Sequence, residues 1–268
     1  MNPHIKHLVF RFLYAIIGWP NFLRRLQWYA FWDLLEIADD MVVIDLGAGQ
    51  MQYSLRLAQG SGANIIAVDL NFPAECADLV KPYGIKMIEA DALALPLEDH
   101  TADRILMSSL LQMVPNPLQL LRECRRVLKP GGHVVLSVPN HYQFIPALMR
   151  SFAGPVFKRL FGLPRTYEEL VRHLNERFHV GGPQGYYSID ELTALLESSG
   201  FCIAEHKYVP GWLGSLLWEF AVLGYVRFGN FAFHLLFLAY PLVLLCDIIV
   251  KPAGGSEHIL KVSPVHEN

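Results

Sequence analysis

Three aspartates recur at places where a nucleotide-like ligand needs them. Asp45 lies in an apolar, β-branched run from Met41 to Leu46, Asp69 closes the next run from Asn64, and Asp91 stands just past a third, Ile85 to Glu89. Between the first two acids lies Gly47-Ala48-Gly49. A glycine turn lets a ligand approach the backbone, and the helix it opens presents free N–H groups. A carboxylate at the end of the second strand can accept both hydroxyls of a ribose. Asp45 and Asp69 are 24 positions apart, a separation that fits one strand–helix–strand unit. Taken singly, Asp45 and Asp91 have a competing reading as structural or solvated acids, since ion pairs also hold carboxylates in place.

The elements that must position these residues are readable over 41–139. Short β-branched runs alternate with helical patterns, the mark of a parallel sheet. Strands are expected at 41–46, 64–69, 85–89, 102–108 and 133–138, with helices at 52–59, 73–81 and from Pro117. Asn116 supplies a cap and Pro117 the first helical position. Lys129-Pro130-Gly131-Gly132 is expected to stop that helix. Residues 140–187 read as a helical insertion, clearest at 168–178. Ser188-Ile189-Asp190-Glu191 is a capping box opening a helix to Ser199, closed by Gly200. A sixth strand is expected at 201–209 and a short last one at 259–262. The fold class is therefore α/β, a Rossmann-like, doubly wound, mostly parallel seven-stranded sheet with added apolar helices.

Composition narrows the function classes. Of 268 residues, 53% are hydrophobic and 18% charged, and mean hydropathy is +0.28. Such a chain is not disordered. Its net charge of −3 argues against a nucleic-acid binder. Cys76, Cys124, Cys202 and Cys246 are scattered, so reduced thiols on a cytoplasmic side are expected and no structural metal site is. The apolar start, 1–20, lacks a small-residue cleavage site and does not read as a signal peptide.

The motifs resemble those of a family. Val42-Val43-Ile44-Asp45-Leu46-Gly47-Ala48-Gly49 looks like motif I of class I S-adenosylmethionine-dependent methyltransferases. The stretch from Glu89 to Leu97 resembles the adenine loop of the methyltransferase type 11 group. Arg122-Glu123-Cys124-Arg125-Arg126-Val127-Leu128-Lys129-Pro130-Gly131-Gly132 is similar to that group's most recognisable segment. The resemblance covers about 40–140 and 185–208. It implies S-adenosyl-L-methionine as cofactor and a binding set of Asp45, Gly47, Ala48, Gly49, Asp69, Leu70, Asp91, Ala92 and Ser108. Gly47 and Gly49 would border the methionine part, Asp69 the ribose, Asp91 with the Ala92 backbone the adenine, and Ser108 the amino group. Met51 departs from the pattern, standing where the family usually has a third glycine; a side chain there would crowd or reshape the loop. Met113 stands where a histidine is frequent. A Rossmann dehydrogenase is the weaker competitor, because position 52 is Gln rather than the glycine its fingerprint needs.

Methyl transfer from a sulfonium needs mainly alignment, and a general base depends on the acceptor. His141, beside Asn140 at the end of the fifth strand, is the candidate catalytic base, against a surface-loop reading. His133 reads as structural. The twenty residues 231–250 hold thirteen Phe, Leu, Val or Ile, about the length of a membrane span, but also His234, Pro241 and Asp247. With 211–229 they are expected to form a hairpin on one membrane leaflet, the competing reading being a cover for the sheet or a homodimer face. The expected organisation is thus an apolar region at 1–40, the methyltransferase domain at 41–210, the hairpin at 211–252 and a final strand with tail at 253–268. The expected acceptor is lipophilic or lipid-linked, met at the inner face of a membrane. A soluble sugar or small metabolite, and a non-catalytic cofactor-binding partner, are the alternatives.

Overall fold

The computed structural model describes residues 22–141, 144–151, 154–164, 166, 168–170, 172, 186–209, 211, 214–216, 219–220 and 255–265. In chain order the described elements are α1 (Phe22–Leu35), β1 (Val42–Leu46), α2 (Gln52–Gly60), β2 (Asn64–Asp69), α3 (Cys76–Val80), β3 (Lys86–Glu89), β4 (Ala102–Ser108), α4 (Pro117–Val127) and β5 (Leu128–Pro139). They continue with α5 (Phe144–Arg150), α6 (Gly154–Phe161), α7 (Ile189–Ser198), β6 (Phe201–Val209) and β7 (Glu257–Pro264).

All seven strands form one sheet in the order β3-β2-β1-β4-β5-β7-β6. The pairs β1–β2, β1–β4, β2–β3 and β4–β5 are parallel, and β7 runs antiparallel to β5. The seven-stranded, mostly parallel α/β sheet expected from the sequence is the one observed. Chain order reverses direction between β1 and β4, so the switch point lies there, with the ends of β1 and β4 flanking it. The central strands are buried over nearly their whole length: Val43, Ile44, Ala67, Val68, Ile105, Leu106, Met107, Val134, Val135 and Leu136 are all shielded from solvent. That is why they read as continuous apolar runs and not as alternating ones.

Local signals explain most element ends. Asn116 Oδ1 accepts from the Gln119 N–H at 3.1 Å, with Pro117 at the first helical position. Ser188 and Glu191 form the full capping box of α7, and Gly200 ends it with φ +78°. Three expectations are corrected. The Lys129–Gly132 segment does not separate α4 from its strand; β5 begins at Leu128. The extra residues form a bulge opposite β4, where pairing jumps from Ala102↔Leu128 to Arg104↔His133, and Gly131 at φ +79° supplies the left-handed backbone this requires. The third helix, expected over 73–81, is α-helical only from Cys76 and tightens into a 3₁₀ turn at Lys81–Tyr83, around Pro82, which has no N–H to continue the ladder. β7 is also longer than expected, Glu257–Pro264 against 259–262.

The chain divides into two compact units. One comprises residues 31–141, 166–207 and 257–268 and carries nearly all of the sheet. In it the end of α1 packs on α2, with Phe31 and Tyr53 rings edge to face at 5.2 Å. Arg104 Nε donates to the Leu35 carbonyl at 2.7 Å and the His133 ring donates to the Leu34 carbonyl at 2.9 Å, fixing that helix end to β4 and β5. His133 is buried and structural, and its burial lowers its pKa to about 4. The other unit comprises residues 1–30, 142–165 and 208–256. There α5 packs on α6, and the buried Glu219 carboxylate accepts from the Ile145 N–H at 2.6 Å. Among the described residues no helix is long and apolar enough to cross a membrane. Of the hairpin expected at 211–252, all of 231–250 and most of 211–229 lie outside the described residues, as do 1–20, Tyr142 and most of the helix expected at 168–178.

Candidate cofactor and acceptor site

The glycine loop at the end of β1 is folded back on β2. Gly47 and Ala48 N–H groups both donate to the Val68 carbonyl, at 2.8 and 3.1 Å. Three of its residues are left-handed: Gly47 (φ +78°), Gly49 (φ +51°) and Met51 (φ +63°, ψ +17°). At Gly47 a Cβ would also press on Leu110, 3.1 Å from its Cδ1. At Gly49 a Cβ would meet nothing within 4 Å, so this side of the loop is open to a ligand. Met51 keeps the backbone that a third glycine would have, and its side chain is turned wholly into the core at 0% exposure. The departure from the family pattern therefore fills the core instead of crowding the loop.

Asp69 closes β2 with its carboxylate against that loop. Its Oδ2 accepts from the Gly49 N–H at 2.8 Å, which orients the carboxylate while leaving further lone pairs for hydroxyl donors. Leu70 beside it is 72% exposed, an apolar side chain in a wet position. Asp91 is exposed and folds into a turn in which its Oδ1 accepts from Leu93 N–H at 2.9 Å. The Ala90 N–H donates to the Asp69 carbonyl at 2.9 Å, tying the third strand end to the second.

Asp45 is different. Its carboxylate is 1% exposed, beneath the loop, and accepts from Ser54 Oγ on α2 at 2.5 Å. Burial raises its pKa to about 6, against the opposing Ser54 hydrogen bonds, with Asp69 adding repulsion. The structure thus sets Asp45 to brace the loop against α2.

Sequence reading missed the group that shapes the loop after β3. Arg126 on α4 donates to the Leu95 carbonyl at 3.0 Å and the Leu97 carbonyl at 2.8 Å, and pairs with Asp99 and Glu123, each at 2.8 Å. Glu123 in turn accepts from the Leu95 N–H at 3.0 Å. These bonds hold the Glu123 carboxyl below, and the Arg126 guanidinium above, their ordinary ranges. The Glu123-x-x-Arg126 spacing was a visible signal for an i,i+3 pair, but its reach to 95–99 was not.

The opposite wall of the switch-point crevice follows β4. Ser108 ends that strand, and the Ser109 N–H donates to the Ser137 carbonyl at 3.1 Å. Leu110 lies on Gly47, and Gln112 follows in a tight turn closed by Met113 N–H to the Leu110 carbonyl at 2.8 Å. Past β5, His141 is half-exposed, with its Nε2 4.0 Å from the Glu191 carboxylate and its ring 6.0 Å from that of Tyr186. His206 and His258 stack nearby in sequence register, Nε2 to Nδ1 at 3.0 Å, His258 standing opposite Val138. Among the described residues no group of three or more metal-ligating side chains comes together.

A doubly wound sheet with an antiparallel seventh strand, a glycine loop and strand-end acids at the switch point is the architecture of the class I S-adenosylmethionine-dependent methyltransferases. Residues 44–136 match the family model described as a methyltransferase domain, and the chain carries a methyltransferase domain of the S-adenosylmethionine-dependent kind. It is 28% identical over 223 residues to a demethylmenaquinone methyltransferase of Bacillus subtilis (strain 168), a span covering 76% of this chain and 92% of the relative. It is 29% identical over 174 residues to a demethylmenaquinone methyltransferase of Clavibacter sepedonicus, covering 62% and 67%. Solved structures with the same fold include an S-adenosylmethionine dependent methyltransferase from Mesorhizobium loti, with TM-score 0.56, 17% identity and coverage of 88% and 97%. Another is phospholethanolamine N-methyltransferase 2 of Haemonchus contortus in complex with phosphomonomethylethanolamine and S-adenosylhomocysteine, with TM-score 0.57, 16% identity and coverage of 90% and 52%. At these identities the structures establish the fold alone.

Proposed function

We propose that the protein methylates a lipophilic acceptor of the lipid-linked quinone class at a membrane surface. The observation that carries this reading is the 28% identity to a demethylmenaquinone methyltransferase over most of both chains. The excess of apolar residues outside the cofactor-binding segments agrees with it. When bound, S-adenosylmethionine supplies a methyl on a sulfonium, and its transfer breaks the carbon–sulfur bond with both electrons kept by sulfur. A quinone ring is electron-poor, so the acceptor must arrive reduced, as a hydroquinone, for its ring carbon to form the new bond. That carbon then gives up one proton.

In this reading the chain's residues bind, orient and move that proton. Asp69 accepts from the ribose hydroxyls, with Leu70 offering an apolar edge. Asp91, fixed by its turn, and the Ala92 backbone read the adenine. Gly47, Ala48 and Gly49 leave room for the methionine portion, and Ser108 stands near its amino group. Asp45 acts through the loop it braces. His141 is the proton acceptor, its Nε2 4.0 Å from the Glu191 carboxylate, which also accepts from the Ser188 N–H at 2.7 Å.

The test is incubation of the protein with isotopically labelled S-adenosylmethionine and chemically reduced lipid extract, followed by mass analysis. Label in a lipid-soluble quinone product supports the reading. Label confined to water-soluble product, from a protein that binds the cofactor, refutes the acceptor class. Flotation with anionic liposomes tests the surface: full-length protein is expected to float, and protein remaining at the bottom contradicts peripheral binding.

A further inference from the structure

Gln112 occupies a corner of the turn that joins β4 to α4, a position where side chains ordinarily reach water. Its neighbour Met113 is 43% exposed, yet Gln112 is 1% exposed. Its amide oxygen is enclosed and meets no hydrogen-bond donor. Three other buried polar groups of this unit are provided for: Asp45 by Ser54, Ser137 by Ser109 and His133 by the Leu34 carbonyl. A buried acceptor without a donor is costly, and each one in a folded protein calls for a reason. Leucine or methionine would fill the same volume without that cost.

Position supplies the reason. Leu110, two residues before, lies against Gly47, so this turn and the glycine loop are the two walls of one crevice at the switch point between β1 and β4. The acids Asp69 and Asp91 stand on the β2–β3 side of that crevice. Gln112 stands on the other, β4 side, and a methyl acceptor bound there would face the cofactor. An amide oxygen cannot take up a proton from substrate, but it can hold a hydroxyl donor in one orientation.

We propose that Gln112 is an acceptor-positioning residue whose side-chain oxygen takes a hydrogen bond from a hydroxyl of the methyl acceptor. The proposal rests on the acceptor reading above, in which the reduced ring carries such hydroxyls. The same oxygen could in principle be met by an N–H of the cofactor, and the test separates the two donors.

Full-length protein and its Gln112→Met and Gln112→Glu variants are compared by thermal unfolding, by calorimetry with S-adenosylhomocysteine, and by turnover of a chemically reduced, short-prenyl demethylmenaquinone in mixed micelles. For Gln112→Met we expect a melting temperature equal to or above that of the parent and S-adenosylhomocysteine affinity within about twofold. The acceptor kcat/KM should fall about tenfold or more, the loss of roughly one hydrogen bond in a dry site. Gln112→Glu, which keeps an acceptor oxygen, should lose less. Unchanged kcat/KM in the Met variant overturns the proposal. So does a comparable loss of S-adenosylhomocysteine affinity, which would give the amide to the cofactor, or a lowered melting temperature with uniform loss, which would make it structural. Parent protein that binds S-adenosylhomocysteine but leaves the probe unmethylated refutes the acceptor reading first, and this proposal with it.

Discussion

Replacing Met51 separates what its backbone costs from what its side chain contributes. The residue is left-handed at φ +63° and its side chain is fully buried. Met51→Ala removes the side chain and keeps the strain, at a cost of about 2–5 kcal/mol. Met51→Gly removes the same side chain but relieves about 1–2 kcal/mol of left-handed strain. Glycine returns about 0.5–1 kcal/mol of this through the greater freedom of its unfolded chain. The glycine variant should therefore equal the alanine variant or exceed it by up to about 1.5 kcal/mol. At a right-handed helix position the order would be reversed, with glycine about 1 kcal/mol worse. Urea unfolding monitored by circular dichroism gives the ranking, and melting points should drop by roughly 5–15 °C in both variants. S-adenosylhomocysteine affinity should change little in the glycine variant, since the loop path is kept. A glycine variant about 1 kcal/mol less stable than the alanine one would refute the argument that this backbone is strained.

Three further outcomes follow from the same geometry. The raised pKa of Asp45, about 6 against an ordinary 3.8, means that the folded protein binds its proton more tightly than the unfolded chain. Between those values the stability of the parent relative to Asp45→Asn should fall by up to about 1.4 kcal/mol per pH unit as pH rises, then level off; urea midpoints from pH 4 to 7 check this, and a flat difference contradicts it. Arg126→Lys cannot serve the Leu95 and Leu97 carbonyls and two carboxylates together, so it should lower the melting temperature and weaken S-adenosylhomocysteine binding, with protease cutting at 91–99 as the local readout. Gly47→Ala places a Cβ at φ +78° against Leu110 and should cost about 1–2 kcal/mol with loss of cofactor affinity, measured by calorimetry.

Much of the fold could be read because the sheet is buried on both faces. Strands β2, β4 and β6 coincide to the residue with their apolar runs, and the caps at Asn116 and Ser188 make the bonds their side chains announced. The Lys129–Gly132 segment misled because glycine and proline signal an irregularity without saying whether it is a loop or a bulge; pairing with Ala102 and Arg104 decided it. The acids and the glycine loop were evident from type and spacing. The inward turn of Asp45, the tether from Arg126 and the enclosure of Gln112 were not, since packing settles each of them and residue type and spacing do not. His133 makes the same point: its partner, the Leu34 carbonyl, lies 99 residues away. Met51 looked like an obstacle because a sequence shows that a side chain is present but not which way the backbone turns it.

The claim on which everything else depends is that the loop at 47–49 and Asp69 bind S-adenosylmethionine. Isothermal calorimetry of the full chain with S-adenosylmethionine, beside Asp69→Ala, tests it most directly. The account predicts saturable binding by the parent and an affinity lower by about tenfold or more in the variant, the worth of hydrogen bonds to a charged group. No heat of binding from the parent protein, or equal affinity in Asp69→Ala, would contradict it.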